Sequence, residues 1–468
     1  MLDDMLDQMQ SFDDSPVWKP LLDEAKAAMK QPLPLTGQGE AQTYEEFKQH
    51  VLPNPMGNGH PRFWGWVMGN GTAYGMLADM LASGLNPNMG GGDTISNYVE
   101  DQVIDWCKQM FGLPKDYSGL LVSGGSMANL VGLTVARNVM AGYDLRKEGV
   151  AIGDKPMVMY ASSQTHSSNP KAVELLGLGT DALRVIPVDN QYSMDIRALE
   201  AAIAEDKANG LHPVCVVGNA ATTNTATFDD LSALADICQQ EGLWFHVDGA
   251  FGALVAISDE LKPIVAGMEH ADSLAFDLHK WGYLPFEVAG VLVRDLDELA
   301  ATFASTPDYL THMPRGLASG KSAWYGELGV QLTRGFRALK VWMSFKAHGI
   351  DKLARLIEQN VAQARYLKSL VEAHPQLEMT APVPLNIVCF RYIADGLDDE
   401  TLSKLNKELL MRLHESGVAL PSYTTLNDNF SLRASITNHR SRYTDFDILV
   451  DKVVELGDEI LKNEEIPS

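Results

Sequence analysis

Short apolar runs alternate with helical patterns between residues 97 and 295. Apolar residues recur at three- and four-residue spacing over 97–112 and 127–140, which predicts helices there. Between such segments lie apolar runs bounded by turns, namely GLLVSG, MVMYAS, VCVVGN, WFHVD and SLAFD. Runs of this kind predict strands that are buried on both faces. The alternation therefore predicts an α/β domain with a mainly parallel sheet and helices on both faces.

One strand interrupts this alternation. AGVLVRD at 289–295 follows WGYLPFEV with no helix between them. Because parallel neighbours need a crossover connection, this strand is predicted to be antiparallel.

The chain is predicted to have three parts. Before residue 60, apolar residues at helical spacing predict a helical arm, which would pack on another subunit or lie on the surface. After residue 345, a long helix, the strands LNIVCFRYI and FSLRASIT and a last helix predict a smaller α+β domain. The predicted boundaries are 1–59 for the arm and its loops, 60–345 for the large domain and 346–468 for the small domain.

Composition and charge exclude several classes of partner. The chain has 37 Lys and Arg against 61 Asp and Glu, a formal charge of −24. Nucleic acids and anionic membranes require a basic surface, so neither is expected as a partner. No apolar run reaches the roughly 20 residues that span a bilayer, and the acidic N-terminal segment does not resemble a signal peptide. Four cysteines without a C-x-x-C pair are typical of reduced thiols, so we expect a cytoplasmic protein without a metal site.

Two charged residues at the ends of apolar runs are the first candidates for chemistry. Asp248 ends WFHVD, and an ionised carboxylate there must be paired or bound to a ligand. Lys280 follows SLAF, where desolvation would lower the pKa of the amine and leave it free to form a Schiff base. Taken singly, Asp248 would more ordinarily be a structural cap or a salt-bridge partner, and Lys280 would more ordinarily be a surface residue in a loop. Together, at the ends of neighbouring strands, they lie where α/β sheets bind ligands.

Two further segments have the residues that a phosphorylated ring would need. SGGSMANLVGL at 123–133 predicts a strand, a turn of small residues and a helix, whose N-terminal N–H groups bind phosphate. It is neither a Walker loop nor G-x-G-x-x-G, and a serine cap with tight packing is the alternative. His166 follows the strand MVMYAS, where it would stack on a ring, transfer protons or hold a turn.

Pyridoxal phosphate is one ligand that would use all four features. It needs a phosphate anchor, a partner for its ring face, an anion at the pyridine nitrogen and a lysine for its aldehyde. We therefore expect pyridoxal 5'-phosphate as the cofactor.

With these motifs the chain resembles the group II pyridoxal-phosphate-dependent amino-acid decarboxylases, which include the aromatic-L-amino-acid and glutamate decarboxylases. The resemblance rests on HVDGA at 246–250 and on the His-Lys pair at 279–280, with MLADML at 76–81 and FRALKVW at 336–342. It extends from about His60 to Arg391 and the NHR segment, and it is strongest to the aromatic branch. It implies fold type I, with a large seven-stranded, mainly parallel sheet, and a homodimer with active sites at the interface.

The resemblance implies a role for each residue around the ring. Lys280 would form the Schiff base with the cofactor, and Asp248 would pair with the protonated pyridine nitrogen. Ala250 would lie against the ring, and His166 would stack on its face. Thr223, in ATTNTATFDDL, would contact the ring oxygen or the substrate carboxylate.

The resemblance also implies a phosphate site and a proton donor. Gly125, Ser126 and His279 would hold the phosphate together with Asp277, although the family usually has Asn at the position of Asp277. STPDYL at 305–310 resembles the catalytic loop of the aromatic branch, so Tyr309 would protonate the α-carbon after carbon dioxide leaves. Related aldehyde-forming enzymes usually have Phe there, so a tyrosine favours simple decarboxylation. A packed loop aromatic is the other role for Tyr309.

The segment HPRFWGWVMGNGT at 60–72 resembles the part of the family that shapes the substrate pocket. The corresponding residues here are Trp66, Val67 and Gly69, and the aromatic branch has Thr at the position of Gly69. A tryptophan suggests an aromatic or apolar substrate, with core packing as its alternative role. His312, Arg315 and Lys321, near the catalytic loop, leave an acidic substrate open.

The sequence therefore predicts a carboxy-lyase that converts an aromatic or other apolar L-amino acid into its amine and carbon dioxide. The alternatives are a decarboxylase of an acidic or aliphatic amino acid, and a lyase or aldehyde-forming enzyme with the same cofactor. A degenerate homologue with an assembly or regulatory role is the non-enzymatic alternative. The presence of Lys280, Asp248, His166 and Tyr309 together argues against it.

Overall fold

The structure is a computed structural model, and it describes residues 1–153, 155–305, 312–319, 324–463 and 465–466. Tyr309 and Lys321 lie outside the described residues. The chain forms two compact units, a large unit of Gly71–Val361 and a small unit that combines Met1–Asn70 with Ala362–Ser468.

The strands and helices follow the predicted alternation along the chain. In chain order, the strands are β1 (Phe63–Trp64), β2 (Ser118–Val122), β3 (Met157–Ser162), β4 (Leu183–Ile186), β5 (His212–Asn219), β6 (Trp244–Asp248), β7 (Ser273–Asp277), β8 (Ala289–Val293), β9 (Leu377–Met379), β10 (Ile387–Tyr392), β11 (Leu420–Leu426) and β12 (Asn429–Ser435). The α-helices are α1 (Leu2–Gln10), α2 (Asp23–Ala28), α3 (Glu40–Glu46), α4 (Ala73–Leu85), α5 (Ile95–Met110), α6 (Gly125–Met140), α7 (Leu145–Glu148), α8 (Ser168–Leu175), α9 (Ile196–Ala208), α10 (Leu231–Glu241), α11 (Leu296–Phe303), α12 (Arg337–His348), α13 (Ile350–Ala373), α14 (Asp399–Glu415) and α15 (Tyr443–Lys462).

The large unit is built on a seven-stranded sheet in the order β2-β8-β7-β6-β5-β3-β4. β8 is antiparallel to both of its neighbours, and the other adjacent pairs are parallel. The predicted α/β class and the predicted antiparallel strand are both confirmed. Because β8 reverses the direction between β2 and β7, the carboxyl ends of β2, β3, β5, β6 and β7 lie at one edge of the sheet.

Helix α6 packs closely on this sheet because its inner face consists of small residues. Ala128, Gly132 and Ala136 are buried at four-residue spacing along the helix. A Cβ atom at Gly132 would lie 2.7 Å from Cε1 of His246 on β6. A larger residue at this position would push the helix away from the strand ends that it covers.

A buried ion pair fixes the glycine-rich loop that precedes α5. Arg334 and Glu100 are 1% and 0% exposed and form a salt bridge. Arg334 Nη1 also donates to the carbonyl of Met89 at 2.8 Å, and its Nη2 donates to the carbonyl of Leu121 at 2.7 Å. Glu100 in turn accepts from the backbone N–H of Leu121 at 3.0 Å. The pair therefore joins the loop, α5 and the end of β2.

The small unit combines the N-terminal segment with the C-terminal region, which differs from the predicted boundaries at residues 59 and 345. The short strand β1 pairs in parallel with β11, in a sheet with the order β1-β11-β12-β10-β9. Trp64 on β1 is fully buried, stacks on Phe446 at 4.8 Å and donates to Ser441 Oγ at 3.0 Å. These contacts join residues far apart in sequence, so a composition-based boundary does not detect them.

The N-terminal arm exposes apolar side chains. Helices α1, α2 and α3 contain no buried residue. Leu22, Met29, Leu33 and Leu35 are 69%, 62%, 81% and 91% exposed. These three helices therefore gain little from apolar burial within their own chain.

The four cysteines are free and buried. Burial raises the pKa of Cys107 and of Cys389 to about 12, and it also raises the pKa of Cys215 and Cys238. In the part of the chain that the structure describes, no helix is long and apolar enough to cross a membrane.

Candidate active site

The predicted cofactor residues of the large unit lie at one edge of its sheet. Asp248 is the last residue of β6, and Lys280 follows the end of β7 by three residues. His166 follows β3, and Gly125 begins α6 directly after β2. Since these strands run in the same direction, their carboxyl ends bring the four residues to the same edge, where α/β sheets bind ligands.

Asp248 is a buried carboxylate held by two amides. It is 5% exposed, and its Oδ2 accepts from Asn129 Nδ2 at 2.8 Å and from Asn169 Nδ2 at 3.0 Å. Its Oδ1 accepts a longer bond, 3.3 Å, from the backbone N–H of Ala250. An ionised carboxylate has about four acceptor positions, so Oδ1 retains capacity for a further donor such as a protonated ring nitrogen.

Lys280 is paired with Asp277 at the end of β7. The Lys280 Nζ lies 2.9 Å from Asp277 Oδ2, and the side chain of Asp277 is 2% exposed. The other carboxylate oxygen, Asp277 Oδ1, is buried without a hydrogen-bond partner. A buried acceptor of this kind is costly to leave unpaired, which indicates a place where a ligand donor fits.

The start of α6 forms a cradle of suitable size for a phosphate. A Cβ atom at Gly124 would meet only His279 Cε1, at 3.8 Å, so the space above this residue is open. A Cβ atom at Gly125 would lie 2.9 Å from Asp277 Oδ2 and 3.3 Å from the Cβ of Ala250. Side chains at these positions would fill the space in front of the N–H groups of the first helical turn.

Ser126 and His279 border the same cradle. Ser126 is exposed in the first turn of α6. His279 is buried, its Nδ1 lies 2.8 Å from the carbonyl of Val288, and its ring packs on Phe286 at 4.6 Å. Burial lowers the pKa of His279, and the Asp277 carboxylate opposes this change. The glycines and the helix N-terminus fit the phosphate of a cofactor, whereas the unpaired oxygen of Asp277 suits a hydrogen-bond donor.

His166 presents an exposed imidazole near the carboxylate of Asp248. Its Nδ1 accepts from the backbone N–H of Ser168 at 3.2 Å and lies 2.8 Å from Ser168 Oγ. Desolvation by the surrounding protein lowers the pKa of His166, while Asp248 raises it. A neutral imidazole at this edge is suited to stacking on an aromatic ring.

Thr223 lies in a tight loop after β5. Ala221 and Ala226 have positive φ angles of 70° and 58°, which a residue with a side chain rarely adopts. The loop is closed by hydrogen bonds from the N–H of Thr222 to the carbonyl of Thr227 and from Ala226 to Thr222. Strained backbone of this kind clusters at binding sites, and it holds Thr223 half-buried at the strand end.

The predicted substrate residues belong to the small unit. Trp66 is 53% exposed, and its carbonyl accepts from Arg433 Nη1 at 2.9 Å. Val67 and Gly69 are buried, and the carbonyl of Gly69 accepts from Asn58 Nδ2 at 3.0 Å. Tyr309 lies outside the described residues.

Sequence reasoning did not single out the residues that support Asp248. These are Asn129, Ser168, Asn169, His246 and Ser273, all of them buried. Two features of the sequence could have indicated His246 and Asn129. His246 precedes Asp248 by two residues, so both lie on the same face of β6. Asn129 follows Gly125 by four residues, so both lie on the same side of α6.

The chain is similar to several known proteins. The conserved domain of pyridoxal-dependent decarboxylases matches residues 24–393. The aromatic-L-amino-acid decarboxylase of Bacillus atrophaeus is 32% identical over 463 residues, which cover 98% of this chain and 94% of that protein. The phenylacetaldehyde synthase of Arabidopsis thaliana is 29% identical, over 84% of this chain and 81% of that protein.

A solved structure extends the likeness to the fold. The crystal structure of Oryza sativa TDC with PLP and tryptamine matches with a TM-score of 0.90 and 26% identity, over 98% of this chain and 96% of that one. The resemblance that the sequence motifs predicted is thereby confirmed, and pyridoxal 5'-phosphate is the cofactor. The chain belongs to the pyridoxal-dependent decarboxylase family.

Proposed function

We propose that this pyridoxal-phosphate-dependent decarboxylase converts an aromatic or other apolar L-amino acid into its amine and carbon dioxide. The observation that carries the reaction is the pairing of Lys280 with Asp277 beside a buried carboxylate, Asp248, that retains a free acceptor position. The substrate class is supported by the relative from Bacillus atrophaeus, whose name specifies aromatic L-amino acids.

The large unit supplies the residues that would hold the cofactor. The N–H groups at Gly125 and Ser126, with His279, would bind the phosphate, and Asp277 would hold the Lys280 amine beside it. Bound pyridoxal phosphate supplies an aldehyde that captures the substrate amine and a protonated ring that accepts the electron pair left by carbon dioxide.

The remaining residues position the reacting groups. Lys280 would hold the aldehyde carbon between turnovers and release it to the incoming amine. Asp248 would keep a proton on the ring nitrogen, because an ionised carboxylate stabilises a neighbouring cation. His166 and Ala250 would cover the two faces of the ring and exclude water, with Thr223 at its oxygen or at the substrate carboxylate.

The proton balance of the reaction requires a donor at the α-carbon. Loss of carbon dioxide leaves an electron pair on that carbon, and one proton must be added there to give the amine. We assign this proton transfer to the phenol of Tyr309.

Aldehyde formation is the second candidate function. The relative from Arabidopsis thaliana is a phenylacetaldehyde synthase with 29% identity. A tyrosine at position 309 favours the amine, because a phenol at that place can protonate the α-carbon before an oxidant reacts with it.

The substrate side chain would be selected by residues 66–69. Trp66 exposes an apolar ring, and Val67 and Gly69 carry no charge. This composition suits a large apolar substrate better than an acidic one.

We further propose that the protein is a cytoplasmic homodimer. The exposed leucines of the N-terminal arm, Leu22, Leu33 and Leu35, support a partner subunit because isolated apolar surface of this extent is costly in water. Four free thiols without a disulfide support a reducing compartment.

A product assay tests the proposed function. Purified protein with added pyridoxal phosphate is incubated with aromatic, aliphatic, acidic and basic L-amino acids, and carbon dioxide, amine, aldehyde and ammonia are measured separately. Equal amounts of carbon dioxide and amine from the aromatic class alone are expected. Turnover of an acidic amino acid only, or carbon dioxide with aldehyde in place of amine, would contradict the proposal.

A further inference from the structure

A line of buried polar side chains connects the interior of the large unit with the carboxylate of Asp248. Trp244 Nε1 donates to Ser273 Oγ at 2.8 Å, and Ser273 Oγ lies 2.7 Å from His246 Nδ1. His246 Nε2 lies 3.0 Å from Asn129 Oδ1, and Asn129 Nδ2 donates to Asp248 Oδ2 at 2.8 Å. We call these five residues the buried relay, since each is at most 5% exposed.

The two ends of the buried relay fix the direction of every hydrogen bond in it. An indole N–H only donates, and an ionised carboxylate only accepts. The amide nitrogen of Asn129 must therefore face Asp248, so its oxygen must accept from His246. His246 then has its proton on Nε2 and accepts at Nδ1 from the hydroxyl of Ser273. Burial lowers the pKa of His246 to about 4, so the ring is neutral near pH 7.

A branch of the buried relay reaches the imidazole of His166. The second N–H of Asn129 donates to Ser168 Oγ at 3.0 Å. That hydroxyl lies 2.8 Å from His166 Nδ1, which also accepts the backbone N–H of Ser168. Because the oxygen of the Ser168 hydroxyl accepts from Asn129, the hydroxyl proton is free to be donated to His166 Nδ1. His166 therefore carries its proton on Nε2.

We propose that Asn129 is a positioning residue that orients the Asp248 carboxylate and directs the Ser168 hydroxyl as a second donor, beside the Ser168 N–H, onto His166 Nδ1. The buried relay sets the direction of the Asn129 amide. This one side chain therefore links Asp248, which would bind the nitrogen of the cofactor ring, with His166, which would cover the face of that ring. This inference rests on the proposed roles of Asp248 and His166 toward the cofactor.

The middle of the buried relay packs closely against α6. A Cβ atom at Gly132 would lie 2.8 Å from His246 Nδ1 and 3.2 Å from Ser273 Oγ. The histidine ring therefore lies directly against the backbone of α6, with no room for a side chain between them.

Nitrogen NMR on protein labelled with ¹⁵N in its histidines tests the proposal without the cofactor. Long-range proton–nitrogen correlations identify which ring nitrogen carries the proton, and the His166→Asn and His246→Gln variants assign the two signals. We expect both rings to be neutral with the proton on Nε2 at pH 7.5. A proton on Nδ1 of either ring would overturn the proposal.

A matched pair of variants separates positioning from simple hydrogen bonding to Asp248. Asn129→Leu removes the branch, whereas Asn169→Leu removes an equally buried amide that donates to the same oxygen but contacts neither ring. Both should raise the Kd of pyridoxal phosphate about ten-fold, since each loses one bond to a charged group. Only Asn129→Leu should shift the ¹⁵N resonance of His166 Nδ1, because it frees the Ser168 hydroxyl that donates there, while the Ser168 N–H keeps the proton on Nε2. An unchanged Nδ1 resonance in Asn129→Leu, or the same shift in both variants, would overturn the proposal.

Ser168→Ala provides a second variant in case Asn129→Leu does not fold. It breaks the branch between Asn129 and His166 and leaves the bonds to Asp248 in place. We expect a shifted ¹⁵N resonance of His166 Nδ1 with the Kd of pyridoxal phosphate within three-fold of the wild type. An unchanged Nδ1 resonance would overturn the coupling. Failure of the wild type to bind pyridoxal phosphate would instead contradict the proposed function, because the NMR experiment is made without cofactor.

Discussion

The position of Asp248 was predictable from the sequence, but the amides that hold it were not. A carboxylate that ends an apolar run is visible in the pattern WFHVD. Its two partners, Asn129 and Asn169, lie 119 and 79 residues away along the chain. Single-sequence reasoning detects period and charge within a segment, whereas hydrogen bonds between a strand end and two separate helices arise only from the tertiary fold.

Replacement of this carboxylate by its neutral isostere tests its electrostatic role. Asp248→Asn should retain cofactor binding in part and lower kcat roughly a hundred-fold or more, because a preorganised charge at a reacting centre contributes that much. Steady-state kinetics and the visible absorbance of the bound cofactor measure the two effects. Asp206→Asn is the control, since it alters a buried carboxylate that binds Tyr160 and Arg184 instead. Turnover within a few-fold of wild type in Asp248→Asn would contradict the assignment.

Tyr309 permits a test of product choice. Without its phenol, the α-carbon should be protonated more slowly, so Tyr309→Phe should divert product from amine toward aldehyde and ammonia. Because the aldehyde is two electrons more oxidised than the amine, dissolved dioxygen should be consumed with it. Parallel measurement of amine, aldehyde and oxygen uptake checks this, and an unchanged amine yield would exclude Tyr309 as the donor.

At the level of helices and strands, the sequence predicted features that depend on one segment, but it did not predict contacts between distant segments. The antiparallel β8 was predictable, because a strand that follows another without a crossover has little choice of direction. The pairing of β1 with β11 was not, since two residues carry no periodicity. The ion pair of Arg334 with Glu100, which joins a loop to α5 and β2, was also missed because buried charges cannot be told from surface charges in sequence.

That ion pair should be important for stability. Glu100→Gln leaves the guanidinium of Arg334 buried without its counter-charge, and loss of one partner of such a pair typically costs about 3–5 kcal/mol. A lower denaturant midpoint in urea unfolding is the expected result. Asp23→Asn, which breaks the exposed pair with Lys26, should leave the midpoint unchanged. Equal midpoints for wild type and Glu100→Gln would mean that the loop is held by its other contacts.

At the scale of the whole molecule, the exposed apolar arm predicts a dependence of assembly on a few leucines. Leu33→Ser combined with Leu35→Ser should raise the dissociation constant of the proposed dimer by roughly a hundred-fold or more, since each buried leucine contributes about 1.5–3 kcal/mol. Sedimentation equilibrium measures this constant. Leu175→Ser, at another exposed leucine on α8, is the control and should leave it unchanged. A dimer equally stable in both variants would exclude the arm from the interface.

The response to acid is a second property of the whole molecule. Burial lowers the pKa of His60 and of His246 to about 4, below the value near 6.5 of an unfolded histidine. The unfolded chain therefore binds more protons, so stability is fully present above about pH 6.5 and is lost as the pH falls toward 4. Each histidine should contribute to this loss.

Urea unfolding at several pH values measures this loss. In His60→Asn the amide oxygen can replace His60 Nδ1 as acceptor for the N–H of Arg62, so the fold should persist with a shallower pH dependence. A pH dependence identical to that of wild type would indicate that His60 does not contribute to the acid response.

Because all four cysteines are buried, the rate at which each thiol is labelled can measure the local opening of the unit that contains it. A thiol reacts with a disulfide reagent only as an accessible thiolate, so labelling under native conditions requires the surrounding structure to open first. Cys389 lies on β10 of the small unit, whereas Cys215 lies on β5 of the large unit. Mass spectrometry of the labelled peptides would therefore give separate opening free energies for the two units. A cofactor held by the large unit should slow the labelling of Cys215 more than that of Cys389.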